Sequence, residues 1–379
     1  MTNILLNGIP RIGKTGIIEN LKRLSKTRLN KEMKNISLGD IVAKAAHEVF
    51  RIEKERIPYL DYSFLQMTLR PGAISKARLE MRDAGGRDDL LVDTPLTMYT
   101  QVGVVPEVIF SQEQIQRLHN EGPFDFVVSL IDEPSYVIER LVDTPYPRGV
   151  DEILDWLTLE AQLGRSFAPY DYIEETRVPH YVFPVENAAA NLLRLLYDID
   201  PTVVYSMGPI THMKARDFDP GGDVSRDEWE KIEANKKQGR EKLNQFRDEL
   251  HDYAAVVVPL TMADASRGQK AIANTIFRDL HFFVPQSKLL IAYYPDDYHS
   301  SGVAEEMRHG LRIGKPVILI HPKGDDEVFG IRPTLKFRTK EEFFDILQNY
   351  KSLILERPEL RVLRPLLDDE FNPRYARLR

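Results

Sequence analysis

The stretch Asn3-Ile4-Leu5-Leu6-Asn7-Gly8-Ile9-Pro10-Arg11-Ile12-Gly13-Lys14-Thr15 decides the fold of the first half of the chain. Residues 3–7 are a short apolar run that reads as a buried strand. From Gly8 the sequence fits G-x-x-x-x-G-K-[ST] without a gap. Ile17, Ile18, Leu21 and Leu24 then recur at helical spacing. A strand, a Gly-bearing loop and a helix in that order predict a phosphate-binding loop. Its glycines, Gly8 and Gly13, permit the turn, and N–H groups at the helix start cradle an anion. Lys14 is expected to reach the outer phosphates of a nucleotide and Thr15 to ligate Mg2+. Leu90-Leu91-Val92 ends in Asp93, the expected second ligand of that metal, through water; a turn cap after a strand is its ordinary alternative. ATP and Mg2+ are therefore the expected cofactors.

Outward from this loop, strand-like runs recur at Leu90–Val92, Phe126–Ile131 and Tyr181–Val185, with helical stretches such as Pro134–Leu141 and Ile153–Leu163 between them. Alternating strands and helices imply a parallel sheet covered on both faces. Tyr197-Asp198-Ile199-Asp200-Pro201 reads as a joint. A second series follows at Val203–Met207, Ala254–Val258, Leu289–Tyr294 and Val317–Ile320. Between its first two strands lies a long charged helix. Ser225 and Glu228 form its capping-box signature, and Trp229, Ile232, Leu243, Phe246 and Leu250 share one face. A last strand and helix run from Leu335 through the Thr339/Glu342 box to Leu347. The fold class is thus α/β, with two parallel-sheet domains at 1–198 and 201–355. The basic, Pro-rich segment 356–379 is expected as an arm over a neighbour.

The chain has 379 residues, with 51 Lys+Arg against 58 Asp+Glu and a net charge of −7. That length suits two domains. The mild acidity argues against a polymeric nucleic-acid partner. With no cysteine, disulfides, thiolate zinc sites and cysteine nucleophiles are excluded. Apolar runs such as Tyr253–Val258 fall far short of the ~20 residues of a membrane helix. No signal pattern precedes the first motif, so a cytoplasmic location without a membrane partner is expected.

Asp93-Thr94-Pro95 and Gly103-Val104-Val105-Pro106 resemble the archaeal-type adenylate kinases, a P-loop nucleoside monophosphate kinase family. The likeness continues through Phe126–Ile131, Asp132-Glu133-Pro134, Glu139-Arg140, Asp143 to Arg148 and Glu160–Ala168. The resemblance implies a kinase-like domain over 1–198 whose arginine-rich lid closes on the phosphates. Arg140 and Arg148 stand at lid positions as catalytic cations, and Arg70 or Arg78 would hold an acceptor phosphate. The sequence departs from the family in three places. The lid arginines are single rather than paired, Pro95 replaces a His, and Arg11 sits in the loop. Slow transfer, an altered acceptor and binding without transfer all stay open.

In the second half, Ser300-Ser301-Gly302-Val303-Ala304-Glu305-Glu306 leads into a helix and then Gly314-Lys315-Pro316. Small residues at a helix start leave N–H groups for one phosphate, and Glu306 lies about one turn inside. Carboxylates are usual nucleophiles at sugar carbons. With Tyr205-Ser206-Met207-Gly208-Pro209 upstream, this stretch resembles the nucleoside 2-deoxyribosyltransferases and their nucleotide N-glycosidase relatives. The resemblance implies that Glu306 attacks C1′ of the sugar. It places Ser300 and Gly302 at a 5′-phosphate, and Tyr205, Gly208 and Pro209 beside sugar and base. It also implies a homo-oligomer. Gln286-Ser287-Lys288 stands where the family often carries an Asp, with Asp252 and Asp264 as unranked substitutes, and Arg308 replaces a small residue. Glu306 has an ordinary alternative as a first-turn Glu favoured by the helix dipole. Arg278-Asp279 reads as an ion pair or cap, and His299 and His309 as isolated.

The expected function is a bifunctional nucleotide-metabolism enzyme of the salvage or sanitising kind. A nucleotide kinase-like domain is joined to an N-glycosyl transferase or hydrolase, and the partners are small nucleosides and nucleotides. The alternative is a nucleotide-binding sensor with one or both sites inactive.

Overall fold

The computed structural model describes residues 2–59, 68–69, 72, 75–76, 79–80, 82–83, 89–100, 103–106, 124–142, 144, 149–168, 170–171, 176–198, 200–209, 225–259, 269–297, 300–323 and 330–367. Arg70, Arg78 and Arg148 lie outside these residues, as do Asp264 and His299. The chain divides into two units, Met1–Asp198 with Asp264–Thr275, and Ile199–Ala263 with Ile276–Arg379.

In the first unit the order is β1 (Asn3–Asn7), α1 (Lys14–Leu29), β2 (Met33–Ser37), α2 (Leu38–Phe50), β3 (Asp89–Thr94), β4 (Thr97–Thr100) and β5 (Gly103–Pro106). There follow β6 (Phe126–Ile131), α3 (Pro134–Arg140), α4 (Val150–Phe167), β7 (Tyr170–Asp171), β8 (Thr176–Arg177), β9 (His180–Pro184) and α5 (Val185–Tyr197). Five strands form one parallel sheet in the order β2-β3-β1-β6-β9. Ile4, Leu5 and Leu6 are all buried, as they must be in a central strand covered on both faces. Leu6 stands in register with Asp93 and Asn7 with Thr94. The loop after β1 and the acid ending β3 therefore emerge side by side.

The second unit contains β10 (Val203–Met207), α6 (Arg226–Leu250), β11 (Ala255–Val257) and α7 (Gln269–Arg278), the last straddling the division. A π-helical segment Asp279–Phe283 and a short turn Val284–Gln286 lead to β12 (Leu289–Tyr293). Then come α8 (Ser301–Arg312), β13 (Val317–Ile320), β14 (Leu335–Phe337), α9 (Lys340–Asn349), α10 (Lys351–Glu356) and the 3-10 helix Pro358–Leu366. The sheet is again parallel, ordered β11-β10-β12-β13-β14. That is a 2-1-3-4-5 order, whose direction reverses between β10 and β12. Ligands of open α/β sheets bind outside the carboxyl ends of strands at such a reversal.

Ser225 caps α6 with both bonds of the capping box, as the sequence predicts. The apolar face of this helix is buried only over Leu243, Phe246 and Leu250, whereas Ile232 is 43% exposed. A helix of 25 residues spans ~37 Å at ~1.5 Å per residue, about twice the length of a five-residue strand, so its first turns overhang the sheet. Within the segment 356–379, Leu360, Leu363, Leu366 and Leu367 belong to the core of the second unit. Thr202 Oγ1 donates to the Pro365 carbonyl at 2.8 Å, which ties that segment to the start of β10. Among the described residues no helix is long and apolar enough to cross a membrane.

Candidate functional site

The loop between β1 and α1 turns through two left-handed residues, Arg11 at φ 65° and Gly13 at φ 108°. Gly13 suits that conformation because it has no Cβ. At Gly8 a Cβ would stand 3.1 Å from Ile12 Cγ2 and 3.2 Å from Leu130 Cβ, so the chain passes too close for a larger residue to fit without adjustment. Lys14 opens α1, and its ammonium donates to the carbonyl of Gly8 and, at 3.3 Å, to that of Ile9. Thr15 follows on the first turn. Asp93 accepts from Asn35 Nδ2 and Ser37 Oγ, both at 3.4 Å. Burial lowers the Lys14 pKa, and the charges of Glu160 and Asp93 oppose the shift. Burial raises the Asp93 pKa, opposed chiefly by Lys14. Gly8, Gly13, Lys14, Thr15 and Asp93 thus gather at one end of the sheet. A hydroxyl and a carboxylate are hard oxygen ligands of the kind Mg2+ takes.

Arg140 ends α3, and its Nη1 donates to the Ile12 carbonyl at 2.8 Å and to Asp132 Oδ2 at 2.7 Å. It braces the back of the phosphate loop while remaining 38% exposed. Glu160 is a member of this site that sequence reasoning gives no role. It is fully buried on α4 and accepts from Leu96 N at 2.8 Å, Asn7 Nδ2 at 3.1 Å and Thr97 Oγ1. Trp156 Nε1 donates to Thr97 Oγ1 at 2.8 Å, and Ser129 Oγ donates to Asn7 Oδ1 at 2.8 Å. The signal was present: Glu160 falls on the apolar stripe of Ile153, Trp156 and Leu157, where a carboxylate needs partners.

In the second unit the site forms where the sheet order reverses. Tyr205 is completely buried on β10. Gly208 and Pro209 follow the strand, and a Cβ on Gly208 would lie 2.9 Å from Leu243 Cδ2. Ser300 caps α8, its Oγ accepting from Val303 N at 3.4 Å. The first turn of α8 carries no acidic residue, and Gly302 is exposed beside the cap. Glu306 lies one turn further on. The residue is partly exposed, but its Oε2 is sealed from solvent and makes no hydrogen bond among the described residues. Neighbouring Glu305 is exposed and pairs with Arg308 Nη1 at 3.4 Å.

Asp279, on the π-helical segment, is an acid that the sequence reads only as part of an ion pair or cap. It is buried, and its negative charge is the largest influence on Glu306 after burial itself. The two effects hold the Glu306 carboxyl well above its ordinary pKa, while Tyr205 and Arg278 pull it down. Burial raises Asp279 itself to about 6, opposed by Arg278. Arg278 Nε stands 3.5 Å from Asp279 Oδ1, so the expected ion pair exists, with the Glu306 carboxyl beside it. The Tyr205 hydroxyl is near enough to favour the charged form of Glu306, yet it makes no hydrogen bond of normal geometry among the described residues. Asp252 precedes β11, at the amino end of the strands and away from this site. The position before β12 holds Ser287, whose Oγ donates to the Phe283 carbonyl at 2.8 Å. The buried acid in this neighbourhood, Asp279, lies on the π-helical turn eight residues upstream of Ser287.

No protein-family model matches the chain, and no curated protein does. Among solved structures, a shikimate kinase from Bacteroides thetaiotaomicron is 17% identical, covering 52% of this chain and 98% of its own, with a TM-score of 0.29. A structure of the PezAT chromosomal toxin–antitoxin system of Streptococcus pneumoniae is 13% identical, covering 64% of this chain and 87% of its own, again at 0.29. Neither likeness bears on what this chain does. The parallel α/β fold stands on its own strand order and register.

Proposed function

We propose that the first unit binds ATP with Mg2+ and phosphorylates a nucleoside or nucleotide, and that the second cleaves the N-glycosidic bond of a nucleotide. The observation that carries this reading is the cluster at the sheet reversal. Glu306 Oε2, Asp279 Oδ1 and the Tyr205 hydroxyl are buried there without a hydrogen bond of normal geometry among the described residues, although Tyr205 is close to Glu306 and Asp279 Oδ1 has Arg278 Nε at 3.5 Å. Unspent buried polar atoms are costly, and a bound polyhydroxylated ligand would relieve that cost.

The reacting form of the pair is the one that holds a single proton on Asp279 with Glu306 ionised, and in it an oxygen of Glu306 forms a bond to C1′ as the C1′–N bond breaks. The electron pair goes to the base, which takes a proton from the Asp279 carboxyl. Water then attacks C1′, returning a proton to Asp279 and freeing Glu306; a second base in place of water gives transfer. Tyr205 holds the Glu306 carboxyl toward the sugar. The helix start at Ser300 and Gly302 favours a 5′-phosphate. In the first unit, Lys14 neutralises outer phosphates, Thr15 and Asp93 would hold Mg2+, and Arg140 keeps the loop in shape. Bound Mg2+ supplies charge neutralisation at the transferring phosphoryl. By the family resemblance the assembly is a homo-oligomer.

The test is incubation of the full chain with a panel of nucleosides and nucleotides, with and without ATP, read by mass. Base release is expected, faster from 5′-monophosphates than from nucleosides. Glu306→Gln should reduce it by orders of magnitude, and Glu305→Gln should change it little. Absence of base release with nucleotide binding intact would favour a nucleotide-binding sensor.

A further inference from the structure

Arg278 is buried to within 8% of full enclosure, and neither its Nε nor its Nη2 has a hydrogen-bond partner among the described residues. Its ionic neighbour is Asp279, at 3.5 Å, and its Cζ stands 5.5 Å from the centre of the Phe283 ring. That ring also packs against Tyr205 at 5.6 Å. A planar cation thus lies beside the proposed proton donor and near the phenol that faces Glu306, with Nη2 unpartnered among the described residues and Nε engaged only in the 3.5 Å ion pair. Balancing the charge of the two carboxyls needs only a point charge, which a lysine supplies. A guanidinium adds a rigid fork that matches a pair of adjacent acceptors.

The parts of a nucleotide divide among the groups present. The sugar carbon faces Glu306, and the departing nitrogen of the base faces Asp279, which protonates it. The phosphate suits the start of α8. The remaining part rich in acceptors is the base, whose ring nitrogens and carbonyl oxygens come in adjacent pairs. The base also receives the electron pair when the C1′–N bond breaks, and a cation fixed beside it stabilises that charge.

We propose that Arg278 contacts the base of the bound nucleotide through a pair of its acceptor atoms and stabilises it as it departs. This rests on the reading of the second unit as an N-glycosidic site.

The test is calorimetry on the full chain carrying Lys14→Ala, to silence the phosphate loop, and Glu306→Gln, to stop turnover. Two probes are titrated: cytidine 5′-monophosphate, and deoxyribose 5-phosphate, which has no base. Adding Arg278→Lys should weaken the nucleotide at least tenfold and leave the baseless phosphate unchanged. Unchanged binding of the baseless probe also shows that the variant is folded. Equal loss for both probes would overturn the proposal in favour of a sugar or phosphate contact. No loss for either would reduce Arg278 to charge balance, and failure of the parent to bind the nucleotide would also overturn it. Binding is read apart from base release, so failure of the catalytic reading appears separately, as no release by the unsubstituted chain.

Discussion

Asp279 and Glu306 are two carboxyls in one buried site, and the Asp279 charge opposes ionisation of Glu306. Burial raises Asp279 to about 6, while burial and the Asp279 charge raise Glu306 further from its ordinary value. Both folded pKa values lie above the unfolded ones, 3.8 and 4.5. Their contribution to stability is therefore complete below the unfolded values and is lost as pH rises through the folded ones. Under the proposed mechanism the same shifts govern the rate, because the reacting form has Glu306 ionised and Asp279 protonated. The rising limb of kcat/KM against pH should lie above the ordinary carboxylate range. Asp279→Asn removes the like charge, so the limb should move to lower pH while the plateau falls through loss of the proton donor. In thermal melts the variant should gain on its parent from pH 4 to pH 7, since it has no negative charge to bury. A limb that stays in place would mean that the two carboxyls do not interact. As candidates, Tyr205 and Glu306 were readable from their motifs. Asp279 was not, because an acid at the end of a helical run reads as a cap or an ion pair.

At the scale of elements, the central strands are legible because both of their faces are buried. Phe126–Ile131, Val203–Met207 and Val317–Ile320 stand where their apolar runs place them. The edge strand Met33–Ser37 escapes such reading because Lys34 is exposed and Asn35 only partly buried, which breaks the run. The π-helical segment Asp279–Phe283 escapes it for another reason. A widened turn has no periodicity of its own in five residues, and such turns cluster at functional sites. A contact across elements borders this one: His309, three residues beyond Glu306 on α8, stands close enough to the Leu280 carbonyl for that carbonyl to favour its charged form, and its ring lies 6.4 Å from that of His281. The ring also faces Arg312, whose Nη2 is 2.8 Å from Nδ1, with His281 on the π segment and Glu305 on its own helix. His309 therefore ties the turn bearing Asp279 to the helix bearing Glu306. His309→Ala should lower base release about ten- to hundredfold through misplacement of Asp279, with a small change in melting temperature. His309→Gln, which keeps a donor, should restore much of the rate. If Ala and Gln behave alike, the contact has no positioning role.

Over the whole molecule, two strand–helix series separated near Asp198 were legible, since each parallel sheet needs its own set of apolar runs. The partners of a buried charge were not, because Glu160 meets Asn7, Leu96 and Thr97 only after the sheet has formed. Lys14 shows the consequence. Its ammonium sits buried among loop carbonyls, with Asp93 and Glu160 close enough to favour its charged form. In the proposed function a cation held there meets the outer phosphates. Lys14→Ala should cost about 2–3 kcal/mol of ATP affinity, roughly a hundredfold, because a charge-assisted contact to phosphate is lost. Asp93→Asn should retain part of the binding and lose its dependence on Mg2+, because the carboxylate's part is to hold the metal. Calorimetry with and without Mg2+ separates the two, and unchanged ATP affinity in the Lys14 variant would remove the phosphate-loop assignment. Base release from a supplied 5′-monophosphate should persist in both variants, since the groups proposed to break the C1′–N bond all belong to the second unit. Loss of that release together with ATP affinity would mean instead that the second site answers to nucleotide bound at the first, which is the behaviour of a sensor.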